Sequence, residues 1–368
     1  MSLPVVVADC HIPYLEYLRL LPLNLIALEP SEITNDILLK NDATALLIRT
    51  RTRVDHQLLK GTKVEFVGTA TIGTDHIDQK WCISQGIKVA AAPGCNAGGV
   101  MQYVAAAIAQ YCKKMQIAPE GLTLGVIGKG NTGSLSDKVG QALGMHVLVN
   151  DPPLADAGCL ENHTPLLQLL AESDIVTIHV PYSIEGPYPT KYLIHNGNLH
   201  LLKPRSLIIN TSRGGVVEEQ AILRFKNINP EFNYALDVWE NEPNLNINLL
   251  NQAFIATPHI AGYSIDGKRN ASLIIFNALK EHFGWDLVIE LPAVAPPPSS
   301  EINAPSLLDA ILQAYPILKD DQSLRRAPEQ FENLRSSYAF RHEFKHFTLL
   351  ALAEKDKERA KLLGFKIL

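Results

Sequence analysis

A glycine-rich turn between a short apolar strand and a helix constrains this chain more than any other feature. Residues 123–127 predict a buried strand, and Gly128, Gly130 and Gly133 follow it in the spacing G-x-G-x-x-G. The first glycine allows a tight turn, the second lets the backbone approach a pyrophosphate, and the third permits close helix packing. Residues 134–143 predict the helix whose N-terminal N–H groups would face the phosphates. The pattern predicts a dinucleotide-binding unit.

An acidic residue after the next strand indicates which dinucleotide is bound. Residues 146–150 predict that strand, and Asp151 follows the turn by about the 20 residues expected of a carboxylate that holds ribose hydroxyls. Its charge would repel a 2′-phosphate, so NAD is favoured over NADP. Lys129 weakens this preference, because a cation in the turn could help to bind a phosphorylated ribose.

Short strands alternate with helical stretches along most of the chain, which predicts an α/β protein with parallel sheets. The predicted strands are residues 4–8, 43–48, 65–68, 87–91, 123–127, 146–150, 174–179, 206–210, 234–238 and 254–257. Helical stretches at 101–115 and 265–283 would lead from the first sheet to the second and back again. We therefore predict two Rossmann-like parallel-sheet domains with a cleft between them. Residues 1–100 and 260–290 would form a flavodoxin-like substrate-binding domain, and residues 101–259 the NAD-binding Rossmann domain.

A proline-rich stretch at 291–300 marks the sharpest change in composition. Such a stretch is typical of an extended, semi-rigid connector. We predict that residues 291–368 form a small α+β C-terminal domain with helices at 306–315 and 330–347. The domain is too small to bury much apolar surface alone, so we expect it to pack against another domain or subunit.

Three polar residues at the ends of predicted strands carry the chemistry. They are Arg213, Glu242 and His259. A guanidinium can hold a carboxylate by two parallel hydrogen bonds, and a histidine paired with a carboxylate can move a proton near neutral pH. Together with a nicotinamide, the trio could oxidise a hydroxyl next to a carboxylate.

Composition argues against several classes of partner. The net charge of −5 over 368 residues disfavours a general nucleic-acid or anionic-membrane binder. No apolar run is long enough to cross a membrane. The five cysteines lack paired or metal-type spacing, so we expect reduced thiols and no metal site. The chain reaches Asp9 too early for a signal peptide, and a cytoplasmic location is expected.

At these residues the chain resembles the D-isomer-specific 2-hydroxyacid dehydrogenases. Within that family it is most similar to members with an additional C-terminal dimerisation domain, on the evidence of residues 66–78, 92–97, 257–268, 315–326 and 331–338. The resemblance implies a homodimer formed through residues 291–368. It also implies NAD-dependent oxidation of 4-phospho-D-erythronate to (R)-3-hydroxy-2-oxo-4-phosphooxybutanoate, a step of pyridoxal 5′-phosphate (vitamin B6) synthesis.

The same resemblance assigns roles to residues. Arg213 would bind the substrate carboxylate, His259 would take the hydroxyl proton, and Glu242 would orient His259. The implied cofactor contacts are Gly128, Gly130, Asn131, Thr132, Gly133, Asp151, Val180, Thr211, Ser212, Asp237 and Gly262. The implied substrate contacts are Thr50, Thr71 and Tyr263. The chain departs from the relatives at several positions. They carry threonine at Val180, serine at Thr50, a small apolar residue at Lys129 and larger residues at Gly98-Gly99.

Some questions stay open at this point. The substrate phosphate could meet the stripe Arg49, Arg51 and Arg53, the pair Lys268-Arg269, or Arg325-Arg326 of a partner subunit. Another D-2-hydroxyacid, such as 3-phosphoglycerate or glycerate, is an alternative substrate. An NADH-sensing interaction protein is an alternative of a different class.

Overall fold

The computed structural model describes Leu3–Leu368, which form two compact units. The first unit consists of residues up to Asn96 together with Ser264–Ala295. The second consists of Ala97–Tyr263 together with Pro296–Leu368. The C-terminal segment therefore belongs to the same compact unit as the glycine-rich turn. Its separate role as a dimerisation domain stays a prediction.

The elements alternate as the sequence predicts. The strands are β1 (Val5–Asp9), β2 (Asn24–Leu28), β3 (Ala45–Ile48), β4 (Phe66–Thr69), β5 (Lys88–Ala90), β6 (Thr123–Ile127), β7 (His146–Asn150), β8 (Ile175–Ile178), β9 (Leu207–Asn210), β10 (Asn233–Leu236), β11 (Ile255–Ala256), β12 (Glu301–Asn303), β13 (Thr348–Leu350) and β14 (Lys366–Ile367). The α-helices are α1 (Asn35–Lys40), α2 (His56–Leu59), α3 (Gln79–Ser84), α4 (Ala97–Met115), α5 (Asn131–Ala142), α6 (Pro152–Asp156), α7 (Leu166–Glu172), α8 (Glu219–Ile228), α9 (Ile247–Gln252), α10 (Ile265–His282), α11 (Leu307–Ala314), α12 (Leu318–Arg326), α13 (Phe331–Ser336) and α14 (Glu354–Leu362). Among the described residues, no helix has the length and apolar character needed to cross a membrane.

Both large sheets are parallel throughout, which confirms the predicted α/β class. The first unit holds five strands in the order β2-β1-β3-β4-β5, and the second holds six in the order β11-β10-β9-β8-β6-β7. Each predicted strand lies within two residues of its observed bounds, and β6 and β7 match at both ends. The edge strand β2 was missed.

Alternate residues of the second sheet enter two different cores. Ile175 and Leu207 pack with α4 and α5 on one face, whereas Val176 and Ile208 pack with α7, α8 and α9 on the other. Successive side chains of a strand point to opposite faces, so burial on both faces needs a nearly continuous apolar run. The strands therefore end where polar residues begin, and the polar ends carry the candidate site.

The C-terminal segment packs on its own chain. Leu307 and Ile311 of α11 lie in the same core as α4, and Leu324 and Phe331 complete the core on the other face of the sheet. These residues therefore pack within their own chain, as one of the two expected arrangements requires, and a contact with a second subunit stays a prediction. The predicted helix over 330–347 is also wrong, since α13 ends at Ser336 and a loop follows.

An aspartate of this segment covers the edge of the six-stranded sheet. The Ala256 N–H of the edge strand β11 donates to Asp321 Oδ1 at 2.8 Å. Arg325 holds that carboxylate through Nε and also donates to the carbonyl oxygens of Leu250 and Ala253, at 2.6 and 2.8 Å. An exposed edge strand is a template for unwanted pairing. Here the C-terminal segment of the same chain covers the edge strand β11 and satisfies its Ala256 N–H.

Gly98 and Gly99, the unusual pair at the start of α4, make room for neighbours. A Cβ at Gly98 would lie 2.6 Å from the Glu343 carboxylate, and one at Gly99 would lie 3.1 Å from the backbone of Gly262. A larger residue at position 98 would require the Glu343 side chain to move. The pair therefore suits this chain's own C-terminal segment.

Candidate active site

The glycine turn has the geometry that a dinucleotide cradle requires. Gly128 has φ 87°, and a Cβ there would lie 2.4 Å from the carbonyl oxygen of His179. A Cβ at Gly133 would lie 1.8 Å from the Gly128 carbonyl oxygen, so α5 packs closely on the turn. No heavy atom lies within 4 Å of the Cβ position of Gly130, which leaves the backbone open to a ligand.

The N-terminus of α5 follows the turn without a side-chain cap. Gly130 is its N-cap residue, and Asn131 and Thr132 form its first turn, exposed and half-buried respectively. Uncapped N–H groups and the positive end of the helix dipole form a ready site for a pyrophosphate. Val180 lies beside Gly128, because the Cβ position of that glycine is 3.0 Å from Val180 Cγ1.

The Asp151 side chain is hydrogen-bonded to the backbone of the glycine-rich turn. Its Oδ2 accepts the Lys129 N–H at 2.7 Å, and its Oδ1 accepts the Leu154 N–H at 3.1 Å. The ammonium of Lys129 pairs with Asp137 of α5. The lysine charge is therefore balanced within its own unit, which removes the reason to expect help for a 2′-phosphate.

The loop after β9 supplies further candidate cofactor contacts. Ser212 donates through its N–H and its hydroxyl to Asn210 Oδ1, at 3.1 and 2.8 Å. Thr211 Oγ1 is buried and has no hydrogen-bond partner among the described residues. A buried hydroxyl without a partner costs free energy unless a ligand satisfies it. The open turn, the uncapped helix and this hydroxyl together fit NAD.

Asp237 anchors the segment that carries His259, the candidate base. Its carboxylate accepts the Thr257 hydroxyl at 2.7 Å and the N–H groups of Ile260 and Ala261 at 2.8 Å. Its backbone carbonyl accepts the His259 N–H at 2.8 Å. The resemblance implied only a cofactor contact here, and sequence reasoning missed the anchoring role.

Glu242 and His259 form the pair that the sequence predicts. His259 Nδ1 lies 2.8 Å from Glu242 Oε2, and the Trp239 N–H donates to the other carboxylate oxygen at 2.9 Å. His259 has φ 57°, a left-handed conformation that is costly for residues other than glycine. The bonds to Asp237 maintain this strained backbone, which directs the ring toward Glu242.

Burial alone would raise the pKa of Glu242. The hydrogen bond and charge of His259, the Trp239 N–H and the charge of Arg335 outweigh burial, so that the pKa lies below its ordinary value. The carboxylate therefore stays ionised at neutral pH and fixes the Nδ1–H tautomer of the ring. Nε2 of that tautomer is free to accept a proton.

Arg213 leaves β9 on the loop beside this pair. Its Nη1 donates to the Ser212 carbonyl oxygen at 2.8 Å, and its own carbonyl oxygen accepts from Asn210 Nδ2 at 3.1 Å. A Cβ at Gly214 would lie 1.9 Å from the Trp239 carbonyl oxygen. Only glycine allows this approach, which brings the Arg213 loop against the loop of Glu242.

The implied substrate contacts fall into both units. Thr50 is exposed after β3, and the Thr71 hydroxyl donates to the Gly73 carbonyl oxygen at 2.8 Å. Both belong to the first unit, whereas Tyr263 belongs to the second together with Gly262 and the three catalytic candidates. The Tyr263 hydroxyl accepts from Arg335 Nε at 3.2 Å. The substrate contacts of all three stay predictions.

The arginines considered for binding the substrate phosphate differ in their contacts and exposure. Arg325 is fully engaged by Asp321 and backbone carbonyls of its own chain, which contradicts a role in a partner's site. Arg269 donates to the carbonyl oxygens of Leu291 and Pro292 at 2.7 Å. Arg53 is 84% exposed beside Asp55. Arg335, which approaches Tyr263, was missed because nothing in its sequence neighbourhood indicates a site.

One group of potential metal ligands appears outside the triad. Asp9, Cys10 and His11 lie close together after β1. Burial and Glu29 raise the pKa of the Cys10 thiol to about 11, which disfavours the thiolate that a metal needs. The Asp9 carboxylate already accepts from the His11 N–H at 2.8 Å. The three residues form a local turn, and we do not assign a metal site to them.

Comparisons with known proteins identify the family. Residues 100–261 match the family model described as D-isomer specific 2-hydroxyacid dehydrogenase, NAD binding domain. The chain is 41% identical over 314 residues to erythronate-4-phosphate dehydrogenase of Bacteroides thetaiotaomicron, covering 85% of this chain and 90% of that protein. It is 37% identical over 333 residues to the enzyme of the same name from Yersinia enterocolitica, covering 88% and 89%.

Solved structures share the fold. D-lactate dehydrogenase from Aquifex aeolicus, complexed with NAD and lactic acid, superposes with a TM-score of 0.62 at 27% identity, covering 76% of this chain and 95% of that one. The NAD-bound 3-phosphoglycerate dehydrogenase of Entamoeba histolytica gives a TM-score of 0.65 at 22% identity, covering 77% and 96%. Nearly all of each neighbour is matched, whereas about a quarter of this chain has no counterpart in either.

Proposed function

This chain belongs to the erythronate-4-phosphate dehydrogenases, within the D-isomer-specific 2-hydroxyacid dehydrogenase family, and we propose that it oxidises 4-phospho-D-erythronate to (R)-3-hydroxy-2-oxo-4-phosphooxybutanoate with NAD. The reaction is a step of pyridoxal 5′-phosphate synthesis. The observation that carries the proposal is the 2.8 Å contact between His259 Nδ1 and Glu242 Oε2, on loops next to that of Arg213. The proposed cofactor contacts are the residues of the glycine turn, Asp151, and Thr211 with its buried hydroxyl.

Each of the three catalytic candidates has a distinct task. Arg213 binds the substrate carboxylate through two parallel hydrogen bonds. His259 takes the proton of the neighbouring hydroxyl at Nε2, while Glu242 holds Nδ1 and stabilises the imidazolium that forms. Bound NAD would supply the acceptor for the hydride that leaves the carbon bearing this hydroxyl. The strained backbone of His259, fixed by Asp237, keeps the base in place before the substrate arrives.

A panel of acids tests the proposal. NADH formation should be fastest, by kcat/KM, with 4-phospho-D-erythronate, and slower with 3-phosphoglycerate and glycerate. The unphosphorylated D-erythronate is the matched control, because it keeps the reacting carbons and removes only the phosphate. A higher kcat/KM with 3-phosphoglycerate would instead make that compound the substrate. Failure of every acid in the panel would refute the proposed reaction.

Replacing Asp151 by alanine should relax the preference for NAD over NADP by roughly tenfold or more, since a charged hydrogen-bond partner of the ribose and a repelling charge are both lost. The KM for NAD should rise, because Asp151 also holds the Lys129 N–H. Steady-state kinetics with both cofactors measure the effect. Glu161→Ala, an exposed acid of the same unit, is the control. A wild-type preference for NADP would contradict this interpretation.

We also propose a homodimer, as the resemblance implies, in which the C-terminal segment supplies the interface. The full chain should sediment at twice the mass of one chain. Truncation after Leu291 should give an aggregating protein, because it exposes α4 and removes Asp321 from the edge strand β11. A truncated chain with a sharp thermal transition would contradict this packing argument.

The free thiols of all five cysteines support a reducing, cytoplasmic location.

A further inference from the structure

The C-terminal segment reaches the catalytic loops of its own unit through one arginine. Arg335 lies in α13, and its Nε donates to the Tyr263 hydroxyl at 3.2 Å. The rings of Tyr338 and Phe340 pack on the Tyr263 ring, with centroids 6.1 and 5.7 Å away. Tyr263 follows His259 by four positions on the same loop. A residue far along the chain therefore contacts the segment that carries the catalytic base.

The guanidinium also acts on the catalytic carboxylate. The charge of Arg335 is among the causes that lower the pKa of Glu242, and Glu242 in turn helps to raise the pKa of Arg335 against the effect of burial. The other acidic neighbour, Glu332, lies 3.8 Å from Arg335 and is 57% exposed. An exposed pair of this length contributes little stability. The Arg335 side chain is only 23% exposed.

The position of Arg335 is fixed from both sides. Before it, Phe331 is fully buried in the core of the sheet. After it, the buried Arg341 donates to the carbonyl oxygens of Ile260 at 3.0 Å and Gly99 at 2.9 Å, and also to that of Ala261. The Arg341 guanidinium lies over the Tyr315 ring, 4.3 Å from its centroid. The C-terminal segment is therefore hydrogen-bonded to the two residues that directly follow His259.

We infer that Arg335, supplied by the C-terminal segment of the same chain, is a positioning residue of the active site that holds Tyr263 and balances the charge of the Glu242–His259 pair. The inference rests on the proposed hydroxyacid oxidation. Arg335 moves no proton. Its positive charge offsets part of the negative charge of Glu242, and its hydrogen bond holds Tyr263 on the loop that carries His259.

The sign of the effect on pH dependence follows from the charges. Glu242 favours the imidazolium form of His259, and the positive charge of Arg335 opposes it. Removing the Arg335 charge leaves the negative charge of Glu242 less balanced, so we expect the acid limb of the kcat/KM profile to move up. Without the Glu242 charge that limb moves down. The groups that act on Glu242 are His259, Arg335 and Glu219, while Tyr263 and Glu332 contact Arg335.

Glu219 needs a control of its own. Burial raises the pKa of its carboxyl to about 7, so that it titrates in the range of the measurement. Its carboxylate accepts the Glu240 N–H at 2.7 Å, and the Glu240 carboxylate accepts the Glu219 N–H at 2.8 Å. Comparing variants in a Glu219→Gln background removes this titration from the profiles.

The test is the pH dependence of kcat/KM for the full-length enzyme with 4-phospho-D-erythronate. Arg335→Met should move the acid limb up by roughly 0.5 to 1 unit, and Arg335→Lys should restore it. Glu242→Gln should move it in the opposite direction. Lys319→Met, which neutralises an exposed lysine of the same segment, is the matched control and should move nothing. NADH affinity, measured by fluorescence, should stay within about twofold in Arg335→Met.

An unmoved acid limb in Arg335→Met overturns the inference. So does a rise in KM for 4-phospho-D-erythronate with an unmoved limb, since that result assigns Arg335 to direct contact with the substrate. Titration of the His259 ring by NMR, assigned from its loss in His259→Ala, measures the same shift without substrate. Failure of the acid panel and failure of this inference are therefore separate results.

Discussion

Replacing His259 by alanine is expected to lower kcat by roughly 10²- to 10⁴-fold, the usual contribution of a well-placed acid–base group. The Nε2 atom that takes the hydroxyl proton is lost, and Glu242 is left without its partner at 2.8 Å. NADH binding should persist, because the glycine turn and Asp151 lie on other loops. Stopped-flow or steady-state NADH formation measures the loss of rate, and fluorescence titration measures the binding.

The backbone of His259 requires a second variant. Its φ of 57° is strained for alanine as well, so a rate loss in His259→Ala could include a local change of the loop. Asparagine tolerates this conformation, and His259→Asn should therefore lose the proton transfer while keeping the loop. His200→Ala, on an exposed histidine of the same unit, is the control. Near-normal turnover in His259→Asn would show that another group is the base.

Replacing Arg213 by lysine should cost about 2–4 kcal/mol of transition-state stabilisation, which is a loss in kcat/KM of about 30- to 1000-fold. An ammonium cannot reproduce the planar two-point contact with a carboxylate. The guanidinium is also oriented by the bond from its Nη1 to the Ser212 carbonyl oxygen at 2.8 Å, which lysine cannot make while reaching the substrate.

Kinetics with the preferred acid measure this loss. Arg205→Lys changes an arginine that is 71% exposed and serves as the control. If Arg213 binds the carboxylate, the loss of kcat/KM in Arg213→Lys should be smaller with the 2-hydroxyacid amide than with the acid, because the amide has no carboxylate for the guanidinium to bind. Turnover of Arg213→Lys close to that of wild type would refute the assignment.

Local signals were enough for the sheets and for the nucleotide turn. Apolar runs bounded by glycine or polar residues located each strand of the second sheet, because a parallel strand buried on both faces must be continuously apolar. The edge strand β2 escaped, since its residues are partly exposed and its pattern is weaker. The trio of Arg213, Glu242 and His259 was visible because each residue lies in the loop that follows such a strand.

The C-terminal segment was the least predictable part. A helical pattern over 330–347 was expected, yet the chain leaves the helix after Ser336 and turns so that Arg341 enters the interior. A buried guanidinium is costly unless hydrogen-bond acceptors satisfy it, and an aromatic face adds to its stabilisation. Those partners, Gly99, Ile260, Ala261 and Tyr315, come from three distant parts of the chain.

The amino-acid order alone therefore predicted the α/β class, the dinucleotide turn, the candidate trio and the family. Each of these depends on residues that are close together in the sequence or on a spacing along one strand–loop–helix unit. The placement of the last segment on its own nucleotide-binding unit, the anchoring of the His259 loop by Asp237, and the approach of Arg335 to Tyr263 emerged only from the folded chain. These features depend on contacts between residues up to 242 positions apart. Such contacts produce no periodic pattern in the sequence. Whether an arginine is buried or exposed depends on residues that become its neighbours only in the folded chain.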